Sequence, residues 1–452
     1  MRNKWQKQMP LMPHILDHPQ SKELGAISNI IDTTSIICDH VLQDLNRNKN
    51  LNHRAGANGM SADQVLRCAI IKILFSFTYE ELAFHIVDSQ SIRWFCRIGM
   101  ADEGFKKSAL NKNIKAISPE TWERINRDIM GYAQQEKIEK GRKVRVDCTC
   151  VESHIHKPSD SSLLWDAIRV LTRLIEKGQD EFGLRVPGFQ NHTRRAKRRL
   201  LGVMNAKRKK QRKKAYTDLL KVTGKVLGYA QRTLEAIKSS SSADPMLLGL
   251  SDGIEYYVQL TQQVVQQTKR RVMLGEQVDA QEKVVSIFEP HTDIIRKDNR
   301  DTFYGHKVCL SQGASNLILD CLILEGNPAD TNLVEPMLDR QKQIYNRYPL
   351  KVSFDGGFAS RDNLQKAKSR KIKDVCFAKK RGLSETDMCR SEYVYHCLRR
   401  FRAGIESGIS WLKRCMGFAR CMWKGFRSFK SYVWSSIVAA NLLTIARRKL
   451  AT

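Results

Sequence analysis

No Cys-x-x-Cys pair occurs among the 12 cysteines of the chain, and several stand at core-like positions, which points to reduced, buried thiols rather than a disulfide or zinc framework. Cys148 and Cys150 are spaced like ligands, but a strand there turns both toward the same inward face as Val144 and Val146. Acidic residues are in short supply. Asp and Glu number 47 against 77 Lys and Arg, a formal charge of 77 − 47 = +30, and a chain that basic calls for a polyanionic partner, nucleic acid first and an anionic membrane surface second. Long hydrophobic runs are missing as well. The longest, Tyr432–Ala446, contains Ser435, Ser436, Asn441 and Thr444 and is shorter than the roughly 20 residues of a membrane span, so it reads as a core helix. The opening MRNKWQKQMPLMPHILDHPQ is charged without a sustained apolar segment behind it, so no secretory signal is read and the cytoplasm is the expected compartment.

What is present is enough for a large core: 452 residues, 42% of them hydrophobic, predict two or three folded domains. After an irregular stretch with Pro10, Pro13 and Pro19, Ser61 with Gln64 forms a capping box ahead of the apolar stripe Val65, Leu66, Ala69, Ile70, Ile73, Leu74 and Phe77. Thr78 with Glu81 repeats the device. Further helices are predicted around Ile92–Phe95 and after Ser118-Pro119, where Pro suits the first helical position. Short helices joined by tight turns suit a helix-turn-helix DNA-binding unit and equally any small helical domain.

Past Gly141 the period changes to that of a strand, with Val144, Val146, Cys148 and Cys150 alternating with Arg145, Asp147 and Thr149. Asp147 is thereby set on the face opposite the cysteines, either as a functional acid or as an exposed group paired with Arg145. From Pro158 to about Gln281 the pattern is helical, with a polar linker at Ser239–Ser242. This segment holds twelve basic residues close together: Arg194, Arg195, Lys197, Arg198, Arg199, Lys207, Arg208, Lys209, Lys210, Arg212, Lys213 and Lys214. Such density repels itself unless a polyanion neutralises it, and it lacks the interleaved aromatic face of a membrane-surface helix.

Strands are predicted at Val284–Phe288, Phe303–Leu310 and Leu317–Leu324, then a helix over Val334–Tyr345. In LKVSFDGGFAS, Leu350, Val352 and Phe354 alternate with Lys351, Ser353 and Asp355; Gly356 and Gly357 end the strand and Ser360 caps a helix through Leu364 and Ala367. Asp355 is then either at the carboxyl edge of a β-turn-α unit, where α/β sheets place their chemistry, or part of an Asp-Gly turn closing a hairpin. Another strand, Asp374–Ala378, precedes two final helices, Tyr395–Met416 and Tyr432–Arg448. On the first of these, Leu398, Phe401, Ile405, Gly408, Leu412 and Cys415 make the core stripe. Arg402, Glu406 and Lys413 lie within about 40° of one another on another face, as site residues or as ordinary helix-face ion pairs. Asp147, Asp355 and Glu406 together supply the hard oxygen donors that phosphoryl transfer with two Mg²⁺ ions roughly 3.5–4 Å apart requires.

The segments RVDCTCVESHIHKPSDSSLLWD, FYGHKVCL, LEGNPADTNLVEPML, VSFDGGFAS and RFRAGIESGISWLKR resemble DDE transposases of bacterial insertion sequences, of the ISNCY-type group, and MSADQVLRCAIIKILFSFTYEEL to IRWFCRIG is similar to the helical domain ahead of their catalytic core. The resemblance implies a ribonuclease-H-like α/β core with a mixed sheet flanked by helices, an all-α N-terminal domain, and a basic helical insertion after the first strand. Carried over by residue, Asp147, Asp355 and Glu406 are the catalytic, metal-binding triad, served by two Mg²⁺ ions for which Mn²⁺ can substitute. Arg402 and Lys413 match the Arg-x₃-Glu-x₆-Lys signature whose bases contact DNA; related families have Tyr three residues before that Arg, where this chain has Arg399.

The domains are expected at 1–138 (helical, DNA-binding), 139–157 (first core strand), 158–280 (basic insertion) and 281–452 (remaining core). The implied function is Mg²⁺-dependent hydrolysis at the ends of a mobile element and transfer of the freed 3′-hydroxyl into target DNA. The implied partners are double-stranded DNA, as terminal inverted repeats and target, and further copies of the chain on that DNA, with no membrane involved and a cytoplasmic, nucleoid-associated location. A nuclease of the same fold without strand transfer, or a catalytically silent DNA-binding descendant, are the alternatives.

Overall fold

The computed structural model describes residue 4 and residues 17–47, 59–99, 101–240, 244–297 and 301–451. Pro10, Pro13 and part of the Ser239–Ser242 linker lie outside them. In chain order the elements are α1 (Pro19–Thr33), α2 (Ile36–Asn46), α3 (Ala62–Leu74), α4 (Tyr79–Asp88), α5 (Gln90–Phe95), α6 (Lys107–Ala116), α7 (Pro119–Gln135), β1 (Lys143–Ser153), α8 (Asp160–Phe182), α9 (Thr193–Met204), α10 (Lys209–Ser239), α11 (Pro245–Thr268), β2 (Asp293–Lys297), β3 (Asp301–Gly313), β4 (Ile318–Ile323), α12 (Val334–Tyr345), β5 (Lys351–Phe354), α13 (Arg361–Ser369), β6 (Asp374–Phe377), α14 (Glu385–Met388), α15 (Glu392–Cys415), β7 (Arg420–Cys421) and α16 (Phe426–Leu450). Two compact units result, one made of 1–153 with 305–452, the other of 154–304.

In the first unit β1 is the central strand. It pairs antiparallel with β3, Asp147 opposite Leu310, and β3 pairs antiparallel with β4. On its other side β1 runs parallel to β5, which runs parallel to β6. This mixed sheet, with helices over it and an all-helical region ahead of it, is ribonuclease-H-like. The helices before β1 share its core: Trp122 and Phe95 are fully buried with Ile437 and Leu442 of α16. Asn441 of α16 ties the layers together, accepting from Ile318 N at 2.9 Å and donating to Ile318 O and to Asn126 Oδ1 of α7 at 2.8 Å each. Both capping boxes form, Ser61 with Gln64 and Thr78 with Glu81.

The second unit packs α8, α10 and α11 around Leu171, Val226, Ile254 and Val264. Here the predicted strand Val284–Phe288 is absent; the segment is irregular although Val284, Val285 and Ile287 are buried. The Gln267 side-chain amide accepts from Val284 N at 2.9 Å and donates to Val284 O at 3.3 Å, supplying the bonds a neighbouring strand would have made. A second departure concerns Pro19, which opens α1 instead of standing in irregular chain, with Leu24, Ile27 and Ile31 buried along one face. Cys415, predicted in the core stripe of α15, is exposed, because the buried positions at the end of that helix are Leu412 and Met416 and Cys415 falls to the side of them.

Candidate active site

Asp147 and Asp355 become neighbours through register. In the parallel β1–β5 pair Val146 stands beside Phe354, so the next residue of each strand is one of the two acids. Residues 145, 147 and 149 share a face of β1, and α15 lies across that face. Its seat is built from polar contacts. Ser353 Oγ donates to Leu398 O at 3.0 Å, and Arg145, buried in the sheet, donates to Phe401 O at 2.8 Å, to Gln312 Oε1 at 2.8 Å and to Asn316 Oδ1 at 2.6 Å. Burial holds the Arg145 guanidinium below its usual pKa. The Phe401 ring lies 4.1 Å from Lys143 Nζ and 4.7 Å from Arg145 Cζ. Two glycines let the helix down: a Cβ on Gly404 would overlap Arg145 Nη1, and one on Gly408 would stand 2.7 Å from Gln312 Nε2.

That close seat brings the third acid in. Arg402 pairs through Nη2 with Asp147 Oδ2 at 3.1 Å and Asp355 Oδ1 at 2.7 Å, and through Nη1 with Glu406 Oε1 at 2.8 Å. The three carboxylates predicted from separate elements therefore meet on one guanidinium. Asp147 is pinned further by its own chain, Oδ1 accepting from Cys148 N at 2.8 Å. Exposure rises outward across the group, from 14% for the Asp147 side chain to 37% for Asp355 and 63% for Glu406, so the cluster opens to solvent on the Glu406 side. Lys413, two turns further along α15, is half-buried.

Among the described residues no three of His, Cys, Asp and Glu stand close enough to chelate an ion as placed; each of these acids contacts Arg402 instead. The donor set nevertheless fits a divalent metal. Three hard oxygen donors converge on a positive charge, and Arg402 Nε is buried without an acceptor, so the guanidinium fills the position without being fully satisfied in it.

Several contributors were not legible as site residues. Arg145, read as a possible partner of Asp147, points instead to Gln312, Asn316 and Phe401 O; its place two residues before Asp147 on one strand face was the available signal. Gly356 and Gly357 are close-approach positions: a Cβ would stand 2.6 Å from Lys379 Cγ at the first and 2.5 Å from Asp330 Oδ2 at the second, and Asp330 pairs with Lys307 at 2.5 Å. Arg399 is exposed, while Tyr395 is buried and donates its hydroxyl to Phe377 O at 3.1 Å, fixing the start of α15 to β6. The Cys148 thiol is raised well above its usual pKa, first by its hydrogen bond with Cys309 and then by burial, which makes it a poor metal ligand.

The twelve basic residues lie on α9, α10 and the turn between them. Arg195 is half-buried and pairs with Asp218 Oδ1 at 2.5 Å, and exposed Arg199 pairs with the other oxygen of the same carboxylate. Arg194, Lys197, Arg198, Lys207, Arg208, Lys209, Lys210, Arg212, Lys213 and Lys214 are exposed. Among the described residues no helix is long and apolar enough to cross a membrane.

Residues 282–442 match the family described as Transposase DDE domain, and residues 15–116 match the Transposase domain (DUF772). No curated protein and no solved structure matches the chain.

Proposed function

We propose, from the premise that the chain is a DDE transposase of the insertion-sequence type, that Asp147, Asp355 and Glu406 are its catalytic carboxylates. The observation that carries this reading is their convergence, from β1, the end of β5 and α15, on the single guanidinium of Arg402. DDE transposases act on DNA with divalent metal ions; here the ions are two Mg²⁺, with Mn²⁺ as a substitute. When bound, they supply activation of the attacking oxygen and stabilisation of the leaving 3′-oxygen.

The chain's own residues do the rest. Asp147, held by Cys148 N and backed by the sheet, and Asp355, fixed by the β5 register, form the rigid side of the site. Glu406, the most exposed of the three, is the adjustable side. Arg402 exchanges its three carboxylates for a phosphate oxygen of the bound strand, and Lys413 holds a neighbouring phosphate, so the scissile bond is aligned by charge on α15. The exposed basic residues of α9 and α10, from Arg194 to Lys214, neutralise flanking or target DNA.

The reaction is hydrolysis at each element end to free a 3′-hydroxyl, followed by attack of that hydroxyl on target DNA at the same site. Cutting two ends in concert calls for more than one copy of the chain on the DNA, in the cytoplasm at the nucleoid. Purified protein with Mg²⁺ and a duplex carrying the terminal repeat should release a 3′-hydroxyl end, and Asp355→Asn should not. Equal cutting by that variant would sink the assignment, and cutting without strand transfer would favour the nuclease alternative.

A further inference from the structure

The two capping-box helices, α3 and α4, are poor candidates for the surface that meets DNA. On α4 the exposed positions are Glu80, Glu81, Phe84, Val87 and Asp88, acidic and apolar, and a phosphate backbone would be repelled there. The neighbouring helix α6 is its electrostatic opposite. It contains no acid; Leu110, Asn113 and Ile114 are buried, and Lys107, Ser108, Lys112 and Lys115 are exposed. Ser108, Lys112 and Lys115 recur at three-four spacing and share one face, while Lys107 lies to its side and pairs with Glu80 at 3.2 Å.

At the carboxyl end of α6 that face continues into a groove of about 380 Å³ to which α2, the α6–α7 turn and the first turn of α16 contribute. Three cations line it: Arg47 just past α2, Lys115, and Arg427 on α16. Its buried acid is already committed, because Asp44 Oδ2 accepts from Ser118 N at 2.8 Å and the carboxylate lies 3.8 Å from Arg47. The other nearby acid, Glu120, touches Arg427 only at 3.7 Å, with both side chains about two-thirds exposed (67% and 63%), a pair worth little in water. The groove thus carries surplus positive charge from Arg47, Lys115 and Arg427, with Ser428 beside them.

We propose that this groove and the exposed face of α6 form a sequence-independent binding surface for the phosphodiester backbone of duplex DNA, with Arg47, Lys115 and Arg427 each holding a phosphate. The proposal rests on the reading of the chain as a DNA-binding transposase and places the contact where the 15–116 family segment meets the last helix of the catalytic one. DNA held there is gripped by both segments at once, so the grip also fixes the orientation of the duplex on this unit.

The test is the salt dependence of binding, by fluorescence anisotropy of the full-length protein with two labelled duplexes of equal length, one of random sequence and one carrying the terminal repeat. Each lost phosphate contact flattens the slope of log K against log salt by about 0.9, so the triple variant Arg47→Ser/Lys115→Ser/Arg427→Ser should lose about 2.7 on both duplexes alike. Arg427→Lys should keep the wild-type slope, which guards against mere misfolding. A triple variant with an unchanged slope and a wild-type melting curve overturns the proposal. So does a loss confined to the terminal-repeat duplex, since phosphate contacts carry no sequence. If wild type never cuts while the slopes behave as stated, the catalytic reading falls and the groove stands.

Discussion

Gly404→Ala adds one methyl to α15 and should damage the protein twice over. Ala is the better helix former by about 1 kcal/mol, so at an open site the change would stabilise. At Gly404 the new Cβ would stand 3.0 Å from Arg145 Cζ and closer still to Nη1. Ordinary contact is about 3.5–4.0 Å, so the helix or the guanidinium must retreat by about 1 Å. If Arg145 yields, it gives up its 2.8 Å bond to Phe401 O, a charge-assisted bond worth about 1.5–3 kcal/mol in a buried setting. The loss exceeds the helical gain, leaving a net destabilisation of about 0.5–2 kcal/mol and a melting temperature lower by a few degrees. If α15 yields, Arg402 and Glu406 move with it, and a displacement of about 1 Å at reacting groups lowers the cutting rate by about 100-fold. Calorimetry and single-turnover cutting measure the two effects. Gly224→Ala, in α10 with nothing within 4 Å of the added Cβ, is the internal control: it should melt higher and cut normally. A Gly404→Ala protein that melts at or above wild type and cuts within about threefold of it would refute the close-seat reasoning.

Arg402→Ala should bind Mn²⁺ about tenfold more tightly in a paramagnetic-resonance titration, because it removes the cation that competes for the carboxylates, and yet cut poorly for want of its phosphate contact; weaker Mn²⁺ binding would mean that Arg402 organises the acids instead of competing for them. Arg199 and Arg195 hold Asp218 below the usual carboxylate pKa, so their contribution is complete above about pH 4 and is lost as pH falls through the depressed value; the hydrogen-exchange protection factors of α9, corrected for the intrinsic rate at each pH, should fall over that acid range and be flat above it. Cys415 is the exposed thiol among the described residues and Cys68 is fully buried, so a maleimide should modify Cys415 within minutes in the native protein and reach Cys68 only on unfolding.

The features readable from sequence are those whose causes are local. The alternation that sets Asp147 opposite Cys148, and the capping boxes at Ser61 and Thr78, need only residues within a few positions, and the structure has each of them. The pairing of Arg402 with Glu406 was equally open to a helical wheel. What no wheel contains is that the same guanidinium reaches Asp147, 255 residues away in the chain. Val284–Phe288 misled for the complementary reason: its apolar residues are buried as a strand's would be, but one distant glutamine meets the backbone needs that define a strand. Helix α6 went unread because only Leu110 and Ile114 give it an apolar stripe among its lysines and asparagines, a weak signal for a helix whose exposed face matters more than its buried one.

The spacing between the first two acids is the least informative number in the sequence, and the fold explains why. β1 and β3 are adjacent antiparallel strands, and the chain between them is the second unit, 154–304, with its own buried core. Even an unstructured loop costs only about 0.6 kcal/mol more for each doubling of its length, and a self-folding insertion relieves that further. The length between Asp147 and Asp355 is therefore nearly free to vary. Their register is not free. A slip of one residue between β1 and β5 would undo the match of Val146 with Phe354 and turn Asp355 to the face away from α15. Deleting or inserting a single residue within Lys351–Phe354 should abolish cutting, while shortening the polar chain between α10 and α11 by as much should leave it intact, because only the first change alters which acids meet at Arg402.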